Sequence, residues 1–291
     1  MPQDTMEKVN EIKEDILENY DRLGKEDTFT FACNSEVPCF KACCRDINIF
    51  LTPYDVLRLK NNLGITSDEF IAKYTLAPEV NSQNRIPILV MRMNDNEEKT
   101  CQFLGEGGCT VYEDRPWSCR MYPLGFASQK TEANPDGEEF YYLMKEEFKC
   151  KGHGLGKEMS VQQYLDDQGV EIYNEMNELF TGLTLHPFFS TEQVLAPQQA
   201  QMFYMASYNV DMFKRFLFNS KFFEIMSVPE GTKEKIENDE VELLKFAMLW
   251  LRYSLFGEGS IRVKQEIVDA KRKEFTKQAL EKQRAEDENK D

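Results

Sequence analysis

The chain has 291 residues, of which 41% are hydrophobic and 30% charged, so it is long enough to bury a substantial core. Its net charge of −16 at pH 7 argues against nucleic acid and anionic membrane surfaces as partners, because both select basic patches. The charge is compatible with a basic protein partner, or with high solubility alone. We find neither the basic and apolar regions of a signal peptide nor an apolar run of roughly 20 residues, the length that spans a bilayer. We therefore expect a cytoplasmic protein whose thiols stay reduced.

The first predicted elements are helices. Apolar residues at helical spacing predict an amphipathic helix over residues 4–23. The segment Thr52-Pro53-Tyr54-Asp55 supplies an N-cap, a proline at the first helical position and an acid at N3, so we predict a helix from there to about Gly64. Thr66 begins a further helix that runs through Tyr74.

Two β-hairpins are predicted next. The apolar, β-prone run 86–93 is followed by a turn at 94–96 and by a second strand through Cys101 and Phe103. A strong turn signal at 134–137 separates candidate strands at 124–128 and 140–144.

From Ser160 onward the pattern is helical. Ser160 and Gln163 form a capping box. Later helices are predicted over about 170–181, 192–206 with a kink near Pro197, 209–227, 239–256 and 260–285. We therefore predict an α+β fold in which a cysteine-rich metal-binding unit with short β-hairpins is followed by a mainly helical unit that packs on it. The expected division is an N-terminal helix segment at 1–29, a cysteine-cluster domain at 30–155, a helical domain at 156–270 and a charged tail at 271–291 that frays.

The cysteines are confined to the first half of the chain. No cysteine lies among the last 141 residues, which is not expected of cysteines that serve as small core hydrophobes. Because thiols in a reducing compartment are more often ligands than disulfides, we interpret all eight as candidate metal ligands. They are Cys33, Cys39, Cys43, Cys44, Cys101, Cys109, Cys119 and Cys150.

Several thiolates from separate loops must converge to bind a soft metal or an iron–sulfur cluster. Adjacent side chains in an extended chain point to opposite faces, so Cys43 and Cys44 are not expected to bind one ion together. Either each of the two serves a different centre, and eight thiols then suffice for two four-thiolate sites, or one of them has a supporting or redox part. His153, three residues after Cys150, has an acceptable ligand spacing as well.

The motifs around these cysteines resemble a known family. The resemblance covers about residues 30–155 and rests on three features: Cys39-x3-Cys43-Cys44, Cys101-x-Phe-Leu with Cys109-x-Val-Tyr, and Arg115-Pro-x-x-Cys119-Arg120-x-Tyr-Pro. Together they are similar to the CxxCxxCC family of YkgJ-type zinc- or iron-chelating domains. The gap from Cys33 to Cys39 is longer than in the first cysteine pair of that family. The resemblance implies metal chelation without a defined activity.

Arg115 and Arg120 flank Cys119 and are candidate cofactor-binding residues. They would donate hydrogen bonds to an anionic thiolate-rich cluster or hold a substrate carboxylate. Pairing with local acids such as Glu113 or Asp114 is an equal alternative.

Two classes of function follow from these features. In the first, the protein binds an iron–sulfur cluster, for example a 4Fe–4S cluster, and has a redox or metal-handling role, with zinc in a structural interaction protein as the alternative. In the second, it is an S-adenosylmethionine-dependent protein lysine N-methylase that resembles flagellin lysine methylase. The sequence has no Walker loop, Rossmann glycine fingerprint or His-Glu-x-x-His motif, so no catalytic residue can be assigned.

Overall fold

The computed structural model describes residues 16, 18–76, 86–129, 134, 136–144, 150–190 and 194–288. The helix predicted over residues 4–23 lies largely outside these residues. The fold is a mixed α+β fold with small antiparallel sheets in the cysteine-rich part and a mainly helical C-terminal part, as predicted. No described helix is long and apolar enough to cross a membrane.

Two capped helices follow the first cysteine group. Helix α1 is Pro53–Leu63 and helix α2 is Ser67–Tyr74. The Thr52 hydroxyl accepts the N–H of Asp55, and the Asp55 carboxylate accepts the N–H of Thr52. The helix closes at Gly64, whose φ of 64° is left-handed and favours glycine. Both predicted capping boxes are confirmed, because each depends only on residues within one helical turn.

The strands form five small antiparallel sheets among the described residues. The predicted hairpin at 124–144 is confirmed by the antiparallel pairing of strands Leu124–Ser128 and Glu139–Leu143. The strand expected through Cys101 and Phe103 is wrong, since only a single bridge joins Met93 to Cys101. The paired strands are β1 (Thr28–Phe31) with β9 (His153–Ser160), β2 (Phe50–Leu51) and β3 (Thr75–Leu76) on either side of β4 (Leu89–Met91), β5 (Leu104–Gly105) with β6 (Gly108–Cys109), β7 (Leu124–Ser128) with β8 (Glu139–Leu143), and β10 (Met226–Ser227) with β11 (Arg262–Val263).

The remaining helices are α3 (Trp117–Met121), α4 (Val161–Asp167), α5 (Glu171–Thr184), α6 (Pro197–Tyr208), α7 (Val210–Asn219), α8 (Phe222–Ile225), α9 (Thr232–Asn238), α10 (Glu240–Phe256) and α11 (Gln265–Glu288). The capping box of Ser160 and Gln163 at the start of α4 is confirmed. Most of the predicted helices are present, but their boundaries differ.

Three boundary predictions are wrong for local reasons. Pro197 begins α6 instead of kinking a longer helix, because proline fits the first helical position. The segment 209–227 is interrupted at Ser220, whose extended backbone and hydroxyl, bound to the N–H of Phe222, end α7. The last helix, predicted over 260–285, spans Gln265–Glu288 instead.

Two hydrophobic cores hold these elements together. The larger contains side chains of both the cysteine-rich and the helical part, such as Leu57 and Phe70 with Phe203, Phe213 and Leu251, all at most 1% exposed. The smaller joins β1, β7 and α4 through Phe29, Leu124 and Leu165 among others. Trp117 packs against both cores, so the segment around α3 lies where they meet.

Candidate metal centre

One set of cysteines lies on the larger core. Cys44 ends a short 3-10 turn (Ala42–Cys44), and its carbonyl accepts the N–H of Cys101 at 2.8 Å. Cys109 lies on β6 opposite Leu104. Cys101 is buried within the core, whereas Cys44 and Cys109 pack against it. The backbone thus brings together cysteines from three separate segments.

Cys119 joins this set from helix α3. The Trp117 N–H at the start of α3 donates to the Asp55 carboxylate at 2.8 Å, which fixes the helix against α1. Cys119 is exposed as a residue, whereas its thiol group is surrounded by protein atoms. Its pKa is raised by burial and by the negative charges of Cys101, Asp55 and Cys109.

A second set of cysteines lies on the smaller core. Cys150 is buried in that core and Cys39 packs against it. The N–H of Lys151 donates to the Cys39 sulfur at 3.0 Å, and the carbonyl of Gly152 accepts the N–H of Ala32 at 3.1 Å. Cys33 is two residues beyond the end of β1 and therefore close to this contact.

The charges of the second set interact with one another. The pKa of Cys33 is raised to about 11 by burial and then by the nearby thiols of Cys43, Cys150 and Cys39, with Arg115 acting in the opposite direction. Neutralisation by a metal cation would remove this repulsion between thiolates.

Cys43 is the sequence neighbour of Cys44, which belongs to the first set. The Cys44 thiol donates a hydrogen bond to the Cys43 sulfur, which lowers the pKa of Cys43 to about 7. The pKa of Cys44 is raised by the same hydrogen bond and by burial. Cys43 acts electrostatically on cysteines of both sets, including Cys33 and Cys119.

Backbone N–H groups lie near several of the sulfurs. Two of them donate directly: the N–H of Lys151 to the Cys39 sulfur at 3.0 Å and the N–H of Gly152 to the Cys150 sulfur at 3.3 Å. Burial raises the pKa of Cys101 and Cys109, and the backbone N–H two residues later, of Phe103 and of Val111, opposes the rise. Phe103 and Val111 are core residues, 4% and 3% exposed, so the Cys-x-Phe and Cys-x-Val motifs anchor these two cysteines to the core.

The two arginines differ in their surroundings. The Arg115 guanidinium donates to the Tyr112 carbonyl and the Gln168 side chain, and its charge lowers the pKa of Cys33 and Cys109. Arg120 donates to three backbone carbonyls, those of Glu113, Arg115 and Gln168. Arg115 is thus within electrostatic reach of the thiols, whereas Arg120 stabilises the chain around α3. None of the hydrogen bonds of these two arginines goes to the carboxylate of Glu113 or Asp114.

Two further residues matter at this site. His153 has a buried Nε2 atom without a hydrogen-bond partner among the described residues, and its ring lies 5.6 Å from that of Phe31. Asp55 is fully buried, and burial raises its pKa to about 6. The sequence indicated Asp55 only as the N3 acid of α1. Its second role, as acceptor at the start of α3, has no local sequence signal.

The donor set fits a soft metal. All eight cysteines are free thiols, and the sulfurs of Cys39 and Cys150 accept backbone N–H donors. As the side chains stand, no three His, Cys, Asp or Glu residues in the described part of the chain form a compact site for a single metal ion.

The comparison with protein families agrees with this chemistry. Residues 32–152 match the model of the CxxCxxCC family, described as "putative zinc- or iron-chelating domain". No curated protein and no solved structure matches the chain. The match contains all eight cysteines and ends before the helical part begins.

Proposed function

We propose that residues 32–152, a CxxCxxCC domain, bind iron and sulfide as an iron–sulfur cluster, and that the protein has a redox or metal-handling role. The observation that carries the proposal is the pair of backbone N–H contacts to cysteine sulfurs, from Lys151 to Cys39 at 3.0 Å and from Gly152 to Cys150 at 3.3 Å. Such donors stabilise thiolates and, at iron–sulfur sites, tune the reduction potential. When bound, a cluster of this kind supplies one-electron chemistry.

The sequence spacing of the cysteines favours a cluster over a single zinc ion. Structural zinc sites commonly use paired Cys-x-x-Cys ligands, and no two cysteines of this chain have that spacing. The thiols come instead from separate segments at 33–44, 101–119 and 150. A cluster accepts thiolates from such distant segments because iron and sulfide atoms lie between them.

The protein residues would bind the cluster and control its surroundings. The buried Cys101 and Cys150 exclude water from part of the site, and both lie only 8% exposed. Arg115, 6% exposed, supplies a fixed positive charge toward the anionic thiolates. Arg120 keeps the backbone around Cys119 in place through its three carbonyl contacts.

The helical part is proposed to be a docking surface for a basic protein partner. The support is the net charge of −16, which attracts a positively charged protein and speeds its association. Retention on the partner should then fall steeply with salt, because such attraction is screened over roughly 8–10 Å at physiological ionic strength.

The proposal is tested by anaerobic purification followed by analysis of iron, acid-labile sulfide and zinc. We expect iron and sulfide in comparable amounts, with an absorption spectrum that bleaches on reduction and returns on oxidation. Cys119→Ser should lower the metal content, whereas the matched control Ser118→Ala, one residue away on α3, should not. A colourless protein with stoichiometric zinc and no sulfide would overturn the iron–sulfur proposal in favour of a structural zinc site.

A further inference from the structure

We propose that the eight cysteines form two metal centres: Cys44, Cys101, Cys109 and Cys119 bind one, and Cys33, Cys39, Cys43 and Cys150 bind the other. This inference rests on the proposed function, because it divides the same thiols between two positions. The family description gives chelation of zinc or iron without a number of centres.

Separate backbone frameworks hold the two groups. In the first, the Cys44 carbonyl accepts the N–H of Cys101 at 2.8 Å, and Cys109 follows on the β5–β6 hairpin. In the second, the β1–β9 pair brings residues 31 and 153 together, and the N–H of Lys151 contacts the Cys39 sulfur at 3.0 Å. None of these backbone contacts joins a cysteine of one group to a cysteine of the other; the groups meet at the hydrogen bond from the Cys44 thiol to the Cys43 sulfur.

The packing of five of the cysteines follows the same division. Cys101 belongs to the larger core, against which Cys44 and Cys109 pack. Cys150 belongs to the smaller core, against which Cys39 packs. The two cores meet at Trp117, two residues before Cys119. If cysteines that pack on the same core bind the same metal centre, the ligands form two sets.

The Cys43–Cys44 pair lies at the boundary between the groups. Cys44 is tied to the first group by its backbone contact with Cys101. The first group then has four thiols, which is the complement of a four-thiolate zinc or iron–sulfur site. Cys43 is the remaining thiol, and it follows Cys39 by four residues on the same segment, so it completes a second set of four. A single four-thiolate centre would leave four neighbouring thiols without a cation.

The experiment measures the number of centres in the intact chain by native mass spectrometry and metal analysis. The metal-replete protein and the apo protein are also treated with a thiol-alkylating reagent, and the labelled cysteines are identified. We expect two centres per chain and protection of all eight cysteines by metal. One centre per chain, with one set of four cysteines labelled in the replete protein, would overturn the inference and leave the proposed function standing.

Paired variants separate the groups. Cys109→Ser and Cys39→Ser change one half-buried cysteine in each group. Each variant should lose about half of the metal and expose only the cysteines of its own group to alkylation. Loss of all metal from both soluble variants, with one centre in the wild type, would contradict two centres. Two zinc ions without sulfide would refute the iron–sulfur proposal but support the division, whereas a wild type without metal would refute both.

Discussion

Gly152 provides a sharp test of how the second cysteine group is built. A Cβ atom at this position would lie 2.2 Å from the backbone oxygen of Ala32 and 2.9 Å from the ring of Phe31. The first of these neighbours is backbone, so it cannot move away without separating β1 from the segment that carries Cys150. Gly152→Ala should therefore disturb both the fold and the metal content.

The size of the effect follows from the contacts that would be lost. The Ala32 N–H donates to the Gly152 carbonyl at 3.1 Å, and the Gly152 N–H contacts the Cys150 sulfur at 3.3 Å. Each such hydrogen bond contributes about 1 kcal/mol net, and overpacking adds about 1–3 kcal/mol. We expect a loss of about 3–5 kcal/mol in the free energy of unfolding, which lowers Tm by on the order of 10 °C in a chain of this size.

The matched control is Gly107→Ala, in the turn between β5 and β6. A Cβ at Gly107 meets no atom within 4 Å, and this glycine does not need a left-handed backbone. Thermal unfolding and metal content are measured for both variants and the wild type. Gly152→Ala should lose stability and about half of the metal, and Gly107→Ala should retain both. Equal Tm and metal content in the two variants would refute the packing argument.

Three further outcomes are expected. Burial raises the pKa of Asp55 from its ordinary value near 3.8 to about 6, so the folded state binds more protons than the unfolded state between these values. The stability of the wild type relative to Asp55→Asn, measured by denaturant titration of the apo proteins, should thus fall by about 3 kcal/mol in total between about pH 3 and pH 7, with about 2 kcal/mol of the fall between pH 4 and pH 6, and stay constant above about pH 7. A flat difference would contradict the burial of this carboxyl. Removal of metal by a chelator should lower Tm, because metal bound to the native state stabilises it, and an unchanged Tm would argue that the cysteines bind none. S-adenosylmethionine at millimolar concentration should leave the Tm of the metal-replete protein unchanged, and a rise that grows with ligand concentration would favour the methylase alternative.

The sequence predicted those features that depend on near neighbours. The capping boxes at Thr52, Thr66 and Ser160 each involve residues three positions apart, and all are present. The turn at 134–137 likewise joins two strands close in sequence. The pairing of β1 with β9 was not predicted, because it joins segments more than 120 residues apart and β9 contains glycines at 154 and 156 that weaken its strand pattern.

The candidate site shows the same limit. Clustering of the cysteines identified the metal-binding domain, since ligand type and spacing are visible in the sequence. The proposed division into two groups follows the core against which five of the cysteines pack, and this packing requires the tertiary structure. The contact from Asp55 to the start of α3, across 62 positions, is likewise invisible in the sequence. Whether each cysteine binds metal stays a prediction.

The central claim is that cysteine sulfurs are the metal ligands of this chain. X-ray absorption at the edge of the metal in the anaerobically purified full chain tests it most directly. The account predicts a first shell made only of sulfur, at about 2.3 Å whether the metal is zinc or iron in a cluster. A first shell dominated by nitrogen or oxygen at about 2.0–2.2 Å would contradict it.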